Sequence, residues 1–137
     1  MTLEIADVKN IIVHASHTPD DKEITVDELT RMHRMRGAID NKHHYVITRD
    51  GVEHKARNIT RPGISSHDKD TNKTSVSVCL IGTKNFTDKQ MAQLRKSLNS
   101  LVDLFYKAKV VSHSDIEVEA EICPGFDVAK WYYTEGK

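Results

Sequence analysis

Three side chains that can bind a soft or borderline metal ion stand at the ends of predicted strands or at the start of a turn. They are His14, His113 and Cys123. A catalytic zinc site needs three protein ligands and an open fourth position for water, and two histidines with one cysteine meet that requirement. Strand ends and loops suit such a site, because a rigid sheet fixes the ligands while the fourth position stays open. The residue types therefore indicate a candidate catalytic zinc site.

The same three residues also have a purely structural interpretation. The sequence contains neither an HExxH nor a CxxC motif, and the three positions are spread over about 110 residues. His14 would then be a hydrogen-bonded histidine at the end of a strand, and Cys123 a buried thiol in a Pro-Gly turn. Spacing alone leaves both interpretations open.

Length, composition and charge narrow the class of protein. The chain has 137 residues, which suits a single domain spanning residues 1–137. Charged residues make up 29% and hydrophobic residues 38%, as in ordinary soluble globular proteins. Twenty basic and twenty acidic residues give no net charge, which argues against a nucleic-acid partner. Two cysteines do not form a disulfide framework, whereas eight histidines are many for this length.

The beginning of the chain lacks the features of an export signal. Glu4 and Asp7 stand where a secretory signal needs a basic start, and the apolar run Ile11–Val13 is far too short to span a membrane. We therefore expect synthesis in the cytoplasm without membrane insertion. A target outside the membrane would have to be reached through a lysis system or a dedicated export route.

Apolar patterns predict the strands that would position the candidate ligands. The segment Asn10–Ser16 is apolar and β-branched, and the run 76–82 (VSVCLIG) is typical of a central strand, with Cys79 as a core residue. The segment His43–Arg57 predicts a hairpin around Asp50-Gly51, a pair favoured in tight two-residue turns. A last short strand is predicted over 109–115.

Capping signals predict the helices between these strands. Thr25 with Glu28 and Thr87 with Gln90 have the spacing of capping boxes, and Gly37 is a natural stop for the first helix. A polar loop is predicted over 62–75, and a short C-terminal segment follows the turn at 123–125. The order predicts an α/β fold in which a central mixed sheet of about five strands is flanked by helices.

Seven short segments occur in a familiar order along the chain: IIVHAS, MHRMRG, HHYVITRDG with a downstream Arg57, SSHDKDTNKTS, VSVCLIG, FTDKQMAQLRKSL and HSDIEVEAEICPGFD. This series, from about Asn10 to Trp131, resembles the type 2 N-acetylmuramoyl-L-alanine amidases. That family includes the short phage lysozymes of the amidase type and the peptidoglycan recognition proteins. The resemblance implies the amidase type 2 fold and a Zn²⁺ cofactor. It also implies an enzyme that cuts the amide between the lactyl group of muramic acid and L-alanine.

The resemblance also implies roles for individual residues. The metal ligands fall on His14, His113 and Cys123, and the polar-loop histidine that borders the cleft falls on His67, a candidate substrate contact. Two catalytic positions depart from the family pattern. His43 replaces a tyrosine or glutamate, and Glu121 replaces a lysine found in many relatives.

A redistribution of roles would allow catalysis despite these departures. Either Glu121 or His43 would move the proton, and His43 in its charged form would steady the oxyanion. Alternatively, Glu121 points into solvent within the acidic loop 117–121. The favoured function is a monomeric endolysin that acts on peptidoglycan. The alternatives are a muropeptide-binding module without turnover and a regulatory protein that binds a partner through the amidase surface.

Neighbouring residues are given structural interpretations. His33 is expected to be a packed, hydrogen-bonded histidine on the helical face of Leu29. Strand alternation predicts that His44 faces away from His43, while Tyr45 shares the face of His43.

Overall fold

A five-stranded mixed sheet forms the centre of the computed structural model, which describes residues 4–64, 66–117 and 123–134. The strands lie in the order β3-β2-β4-β1-β5. Strand β1 pairs in parallel with β4 and β5, β2 pairs in parallel with β4, and β2 and β3 form an antiparallel hairpin. The predicted fold class is therefore confirmed. The strands are β1 Asn10–Ala15, β2 Tyr45–Ile47, β3 Glu53–Lys55, β4 Ser75–Leu80 and β5 Lys109–Ser112.

Helices cover both faces of this sheet. On one face, α3 packs Leu94 and Leu98 against the sheet, and α5 adds Val128. On the other face, α1 packs Leu29 against a smaller cluster that includes the buried thiol of Cys79. The two clusters stay separate because successive side chains of a strand point to opposite faces. The helices are α1 Val26–Met35, α2 Lys69–Lys73, α3 Asp88–Leu104, α4 His113–Ile116 and α5 Val128–Thr134, with a 3-10 turn at Ile5–Asp7.

Two of the short helices differ from the sequence prediction. Helix α2 lies inside the expected polar loop, where the Asp68 side chain caps it by accepting from the Asp70 N–H. Helix α4 replaces the end of the predicted last strand, because the Asp115 side chain accepts from the Ser112 N–H and caps a helix there. The chain therefore turns at His113 instead of continuing as a strand.

The predicted caps and turn are present with differences in detail. The capping box of α3 is complete, whereas at α1 the Glu28 carboxylate accepts from the Thr25 hydroxyl group. The hairpin turn has three residues instead of two, because the Thr48 N–H donates to the Val52 carbonyl group. Gly51 closes this turn with a φ of +83°.

The parallel strands place several chain segments at one edge of the sheet. Because β1, β4 and β5 run in the same direction, their carboxyl ends lie side by side. Ligands of open α/β sheets bind at this edge. Within the described residues, none of the helices combines the length and the apolar character needed to cross a bilayer.

Candidate metal centre

The three predicted ligands converge at the carboxyl edge of the sheet. His14 is near the end of β1, His113 follows β5 directly, and Cys123 begins the turn that leads to α5. Their ligand atoms all lie within 4.8 Å of one another. His14 and Cys123 are buried, and His113 is partly exposed. Two imidazoles and one thiol at this separation form a site that can hold a metal ion.

His14 presents a ring nitrogen without a protein partner. Its Nε2 atom is buried and has no hydrogen-bond partner among the described residues. Burial, together with the neighbouring histidines His43 and His113, keeps the pKa of His14 well below its ordinary value. The ring is therefore neutral near pH 7, which is the form that binds metals. A buried, unpaired nitrogen in this form fits a metal ion.

Cys123 is held by backbone groups on both sides of the site. Its Sγ atom accepts a hydrogen bond of 3.3 Å from the Ala15 N–H, and its carbonyl oxygen accepts one of 3.0 Å from the Ser114 N–H. Burial raises the pKa of the thiol, while the Ala15 N–H opposes that rise. A bound cation would favour the thiolate further, because coordination deprotonates a thiol.

His113 is oriented by a residue that sequence analysis did not select. Its Nε2 lies 2.6 Å from Oε1 of Glu117, one helical turn further along the chain. The spacing of four residues was the available signal, but it becomes meaningful only if the segment is helical. Because a strand was predicted there, the pairing of His113 with Glu117 was not recognised. Burial alone would raise the pKa of Glu117, but hydrogen bonds from His113 and His67 hold it below its ordinary value.

His43 is buried beside the ligands. Its ring centroid lies 4.7 Å from that of His14, and its Nδ1 lies 2.6 Å from Oγ of Ser77. Burial and the surrounding histidines, beginning with His33, lower the pKa of His43 well below its ordinary value. The neutral ring is therefore favoured near pH 7. This environment opposes the charged form of His43 that the sequence analysis invoked for the oxyanion.

Of the remaining residues singled out from the sequence, His33 lies in the cleft and Tyr45 lies outside it. His33 is packed and hydrogen-bonded as expected, since its Nδ1 accepts from the Lys42 N–H, and it also lines the cleft. The prediction that Tyr45 shares the face of His43 is wrong. Tyr45 packs against the cluster on the α3 side, because β2 begins only at Tyr45 and strand alternation does not extend back to His43. Glu121 lies outside the described residues.

His44 has a structural role at the start of β2. Its Nδ1 accepts from the Ser77 N–H, and its Nε2 lies 2.6 Å from the Arg61 carbonyl oxygen. These contacts leave it fully buried, whereas the ring of His43 lines the cleft.

A cleft of about 220 Å³ opens over the three ligands. Six of the eight histidines line it, together with Glu117 and the cations Arg36 and Lys42. His67 stands at its rim with 91% of its side chain exposed. The cleft therefore combines three candidate metal ligands, two of them buried, with an open, polar rim.

Comparison with known proteins assigns this arrangement to a family. The family model for N-acetylmuramoyl-L-alanine amidase matches residues 5–126. The chain belongs to the N-acetylmuramoyl-L-alanine amidase family. This result confirms the expected family and the expected enzyme class, an amidase.

Individual relatives show the same family and fold. An endolysin of Enterobacteria phage K11 is 33% identical over 136 residues, covering 93% of this chain and 87% of that protein. Among solved structures, the endolysin of the Thermus scotoductus bacteriophage Ph2119 has a TM-score of 0.81 at 20% identity, with 94% and 84% of the two chains covered. The ectodomain complex of peptidoglycan recognition proteins LCa and LCx with tracheal cytotoxin has a TM-score of 0.78 at 15% identity. That match covers 99% of this chain and 86% of the other. The two structural matches show that the fold is shared.

Proposed function

We propose that this amidase is a zinc-dependent endolysin that cleaves peptidoglycan between N-acetylmuramic acid and L-alanine. The observations that carry the zinc assignment are the convergence of His14, His113 and Cys123 and the buried Nε2 of His14, which has no partner among the described residues. The endolysin assignment is supported by the phage relatives, which match over most of their length. Peptidoglycan as the substrate is supported by the family match and by the structural neighbour that binds tracheal cytotoxin.

Zinc in this site would supply a Lewis acid for the scissile carbonyl group and would lower the pKa of a water molecule toward about 7. The folded chain favours the metal-binding form of His14, whereas burial raises the pKa of the Cys123 thiol and the Ala15 N–H opposes that rise. His14 is neutral, and Cys123 is held by a backbone N–H that stabilises a thiolate. The partly exposed side of the site, at His113, leaves access for a substrate.

His43 is proposed to move a proton during hydrolysis. Its Nδ1 is engaged with Ser77, so Nε2 is the ring nitrogen left for the cleft. Because burial favours the neutral ring, His43 can accept a proton but is poorly suited to be a resident cation. Glu121 remains a proposed partner in this proton transfer.

The rim of the cleft is proposed to bind the peptide and sugar groups of a muropeptide. His67 is largely exposed there, and Arg36 and Lys42 line the same opening. Donor groups and positive charge suit the carboxylate and carbonyl groups of a peptide stem. We assign His67 to substrate binding.

We propose that residues 1–137 form one amidase domain, that it acts as a monomer, and that it is made in the host cytoplasm. It would then reach the cell wall through a lysis system. The phage relatives support this setting.

Digestion of purified peptidoglycan tests the proposal. The zinc-loaded protein should release new alanine amino termini without new reducing ends, and a chelator should abolish the release. His14→Ala should lose both bound metal and activity, whereas His54→Ala, on the hairpin away from the cleft, should retain both. Active protein that contains no stoichiometric metal would refute the zinc assignment, and new reducing ends would show a glycosidase.

A further inference from the structure

The carboxylate of Glu117 joins two separate walls of the cleft. Its Oε1 lies 2.6 Å from Nε2 of His113. Its Oε2 accepts from the His67 backbone N–H at 3.0 Å and lies 3.2 Å from the His67 Nδ1. Only 11% of the Glu117 side chain is exposed. We propose that Glu117 is a positioning residue, which fixes the ring of His113 for metal binding and couples that orientation to His67 at the rim.

The hydrogen-bond chemistry determines which nitrogen of His113 faces the other ligands. An ionised carboxylate only accepts hydrogen bonds, so the Nε2 beside Glu117 must carry the hydrogen. The lone pair of the neutral ring is then on Nδ1, which becomes the atom available to a metal. Histidine ligands commonly donate their second N–H to a carboxylate, and loss of that partner typically weakens metal binding by about 10- to 100-fold. This inference rests on the proposed zinc site.

The local backbone explains why His113 needs this support. His113 is the first residue of α4, a helix of four residues. The hydrogen bond from the Ser112 N–H to the Asp115 carboxylate fixes the start of the helix, whereas the ring nitrogen of His113 is paired with Glu117. Glu117 meets the ring from one turn further on, where its own N–H donates to the His113 carbonyl group. His113 and Glu117 are therefore joined by one hydrogen bond between their backbones and one between their side chains.

The second wall of the cleft is bound to the same carboxylate. The segment before α2 is anchored on one side by Asn72, which accepts from the Ser66 N–H and donates to the Ser66 carbonyl oxygen. On the other side, the next residue, His67, is held by Glu117. A metal that orders His113 would order Glu117 and hence His67. By reciprocity, a ligand that holds His67 would favour metal binding.

Zinc affinity measured without any substrate tests the positioning role. Glu117→Gln preserves the shape of the side chain but removes its charge and one of its two accepting oxygens. We expect Zn²⁺ affinity, measured by competition with a chromophoric chelator, to fall by about 10- to 100-fold. The matched control is Glu23→Gln, because the Glu23 carboxylate also accepts from two backbone N–H groups, those of Arg49 and Asp50, away from the cleft. Its zinc affinity should remain within about twofold of wild type.

A second variant separates orientation of the ring from stability of α4. Asp115→Asn weakens the cap of the same helix without removing the partner of the His113 ring. Its zinc affinity should fall much less than that of Glu117→Gln. An equal loss in the two variants would place the effect in the helix and would overturn the positioning role.

Nuclear magnetic resonance of the wild-type protein provides a readout that does not depend on a variant folding. We expect His113 to be the Nε2–H tautomer, and Zn²⁺ to slow hydrogen exchange at the His67 amide. In Glu117→Gln, Zn²⁺ should no longer slow that exchange. An Nδ1–H tautomer in wild type, or zinc affinity of Glu117→Gln within about twofold of wild type, would overturn the inference. A wild-type protein that binds no Zn²⁺ would overturn the zinc proposal as well, so the two failures are distinguishable.

Discussion

Acidification should destabilise this protein measurably through one buried histidine, His44. Nδ1 of His44 accepts from the Ser77 N–H at 3.0 Å, so it could take up a proton in the folded state only by losing this hydrogen bond. Its Nε2 donates to the Arg61 carbonyl oxygen at 2.6 Å. Burial lowers the pKa of His44 to about 4, although the Arg61 carbonyl group opposes this shift. The stability of the protein should therefore fall when the pH is lowered from 7 to 4.5.

The sign and the magnitude follow from proton linkage. In the unfolded chain the pKa of His44 returns to about 6.5. Between these two pKa values the unfolded chain binds a proton that the folded chain does not, so acidification favours unfolding. The stabilising contribution is intact above about pH 6.5, declines as the pH falls toward 4, and changes little below that. Integration from pH 7 to pH 4.5 gives a loss of about 2 kcal/mol from this one group.

Urea unfolding of wild type and His44→Gln at the two pH values, with chelator present, isolates this contribution. His44→Gln loses hydrogen bonds and should be less stable at pH 7 by about 1–3 kcal/mol. Its further loss of stability on acidification should be smaller than that of wild type by about 2 kcal/mol. Equal m-values would show that both proteins unfold between comparable states. If both lose the same free energy between pH 7 and pH 4.5, the reasoning about His44 is refuted.

Three further predictions concern five substitutions. Cys123→Ser should weaken Zn²⁺ binding far more than Cys79→Ser, because a serine hydroxyl stays protonated near neutral pH. Cys79→Ser should instead cost about 1–3 kcal/mol in urea unfolding by burying a hydroxyl in an apolar strand. The reverse pattern would contradict the ligand assignment. Glu121→Gln and His43→Ala should each reduce turnover about a hundredfold with zinc retained, and turnover of Glu121→Gln within about threefold of wild type would exclude a role for Glu121. Gly51→Ala should lower stability by about 1–3 kcal/mol, because its φ is +83° and a Cβ there would lie 2.7 Å from a side-chain atom of α3. An unchanged urea midpoint would contradict that expectation.

Local sequence patterns correctly predicted the elements that depend mainly on interactions between residues near one another in the sequence. The apolar runs became β1 and β4, which are almost completely buried at the centre of the sheet. Thr87 and Gln90 formed the predicted capping box, because both partners lie within four residues of each other. Such interactions depend on neighbours along the chain, so a single sequence is enough to predict them.

The short helices and the turn of the hairpin depended on competition between local signals. The pair Val110-Val111 favoured a strand, which was predicted over 109–115, but the cap of Asp115 on the Ser112 N–H ended it at Ser112. That change in backbone direction brought Glu117 next to His113. Because a strand was predicted there, the contact between the two residues was not expected. The face occupied by Tyr45 also depended on where β2 began.

The residue types able to bind a metal, the strands that lead to His14 and His113 and the family resemblance could all be recognised in the sequence. The folded sheet is needed to place the carboxyl ends of β1 and β5 side by side, which brings together candidate ligands separated by about a hundred residues along the chain. The tertiary structure also decided the protonation state of His43, whose pKa is lowered by burial and by other histidines from distant segments. The physical reason is the same in both cases. Ligand geometry and desolvation arise from contacts between chain segments that only folding brings together.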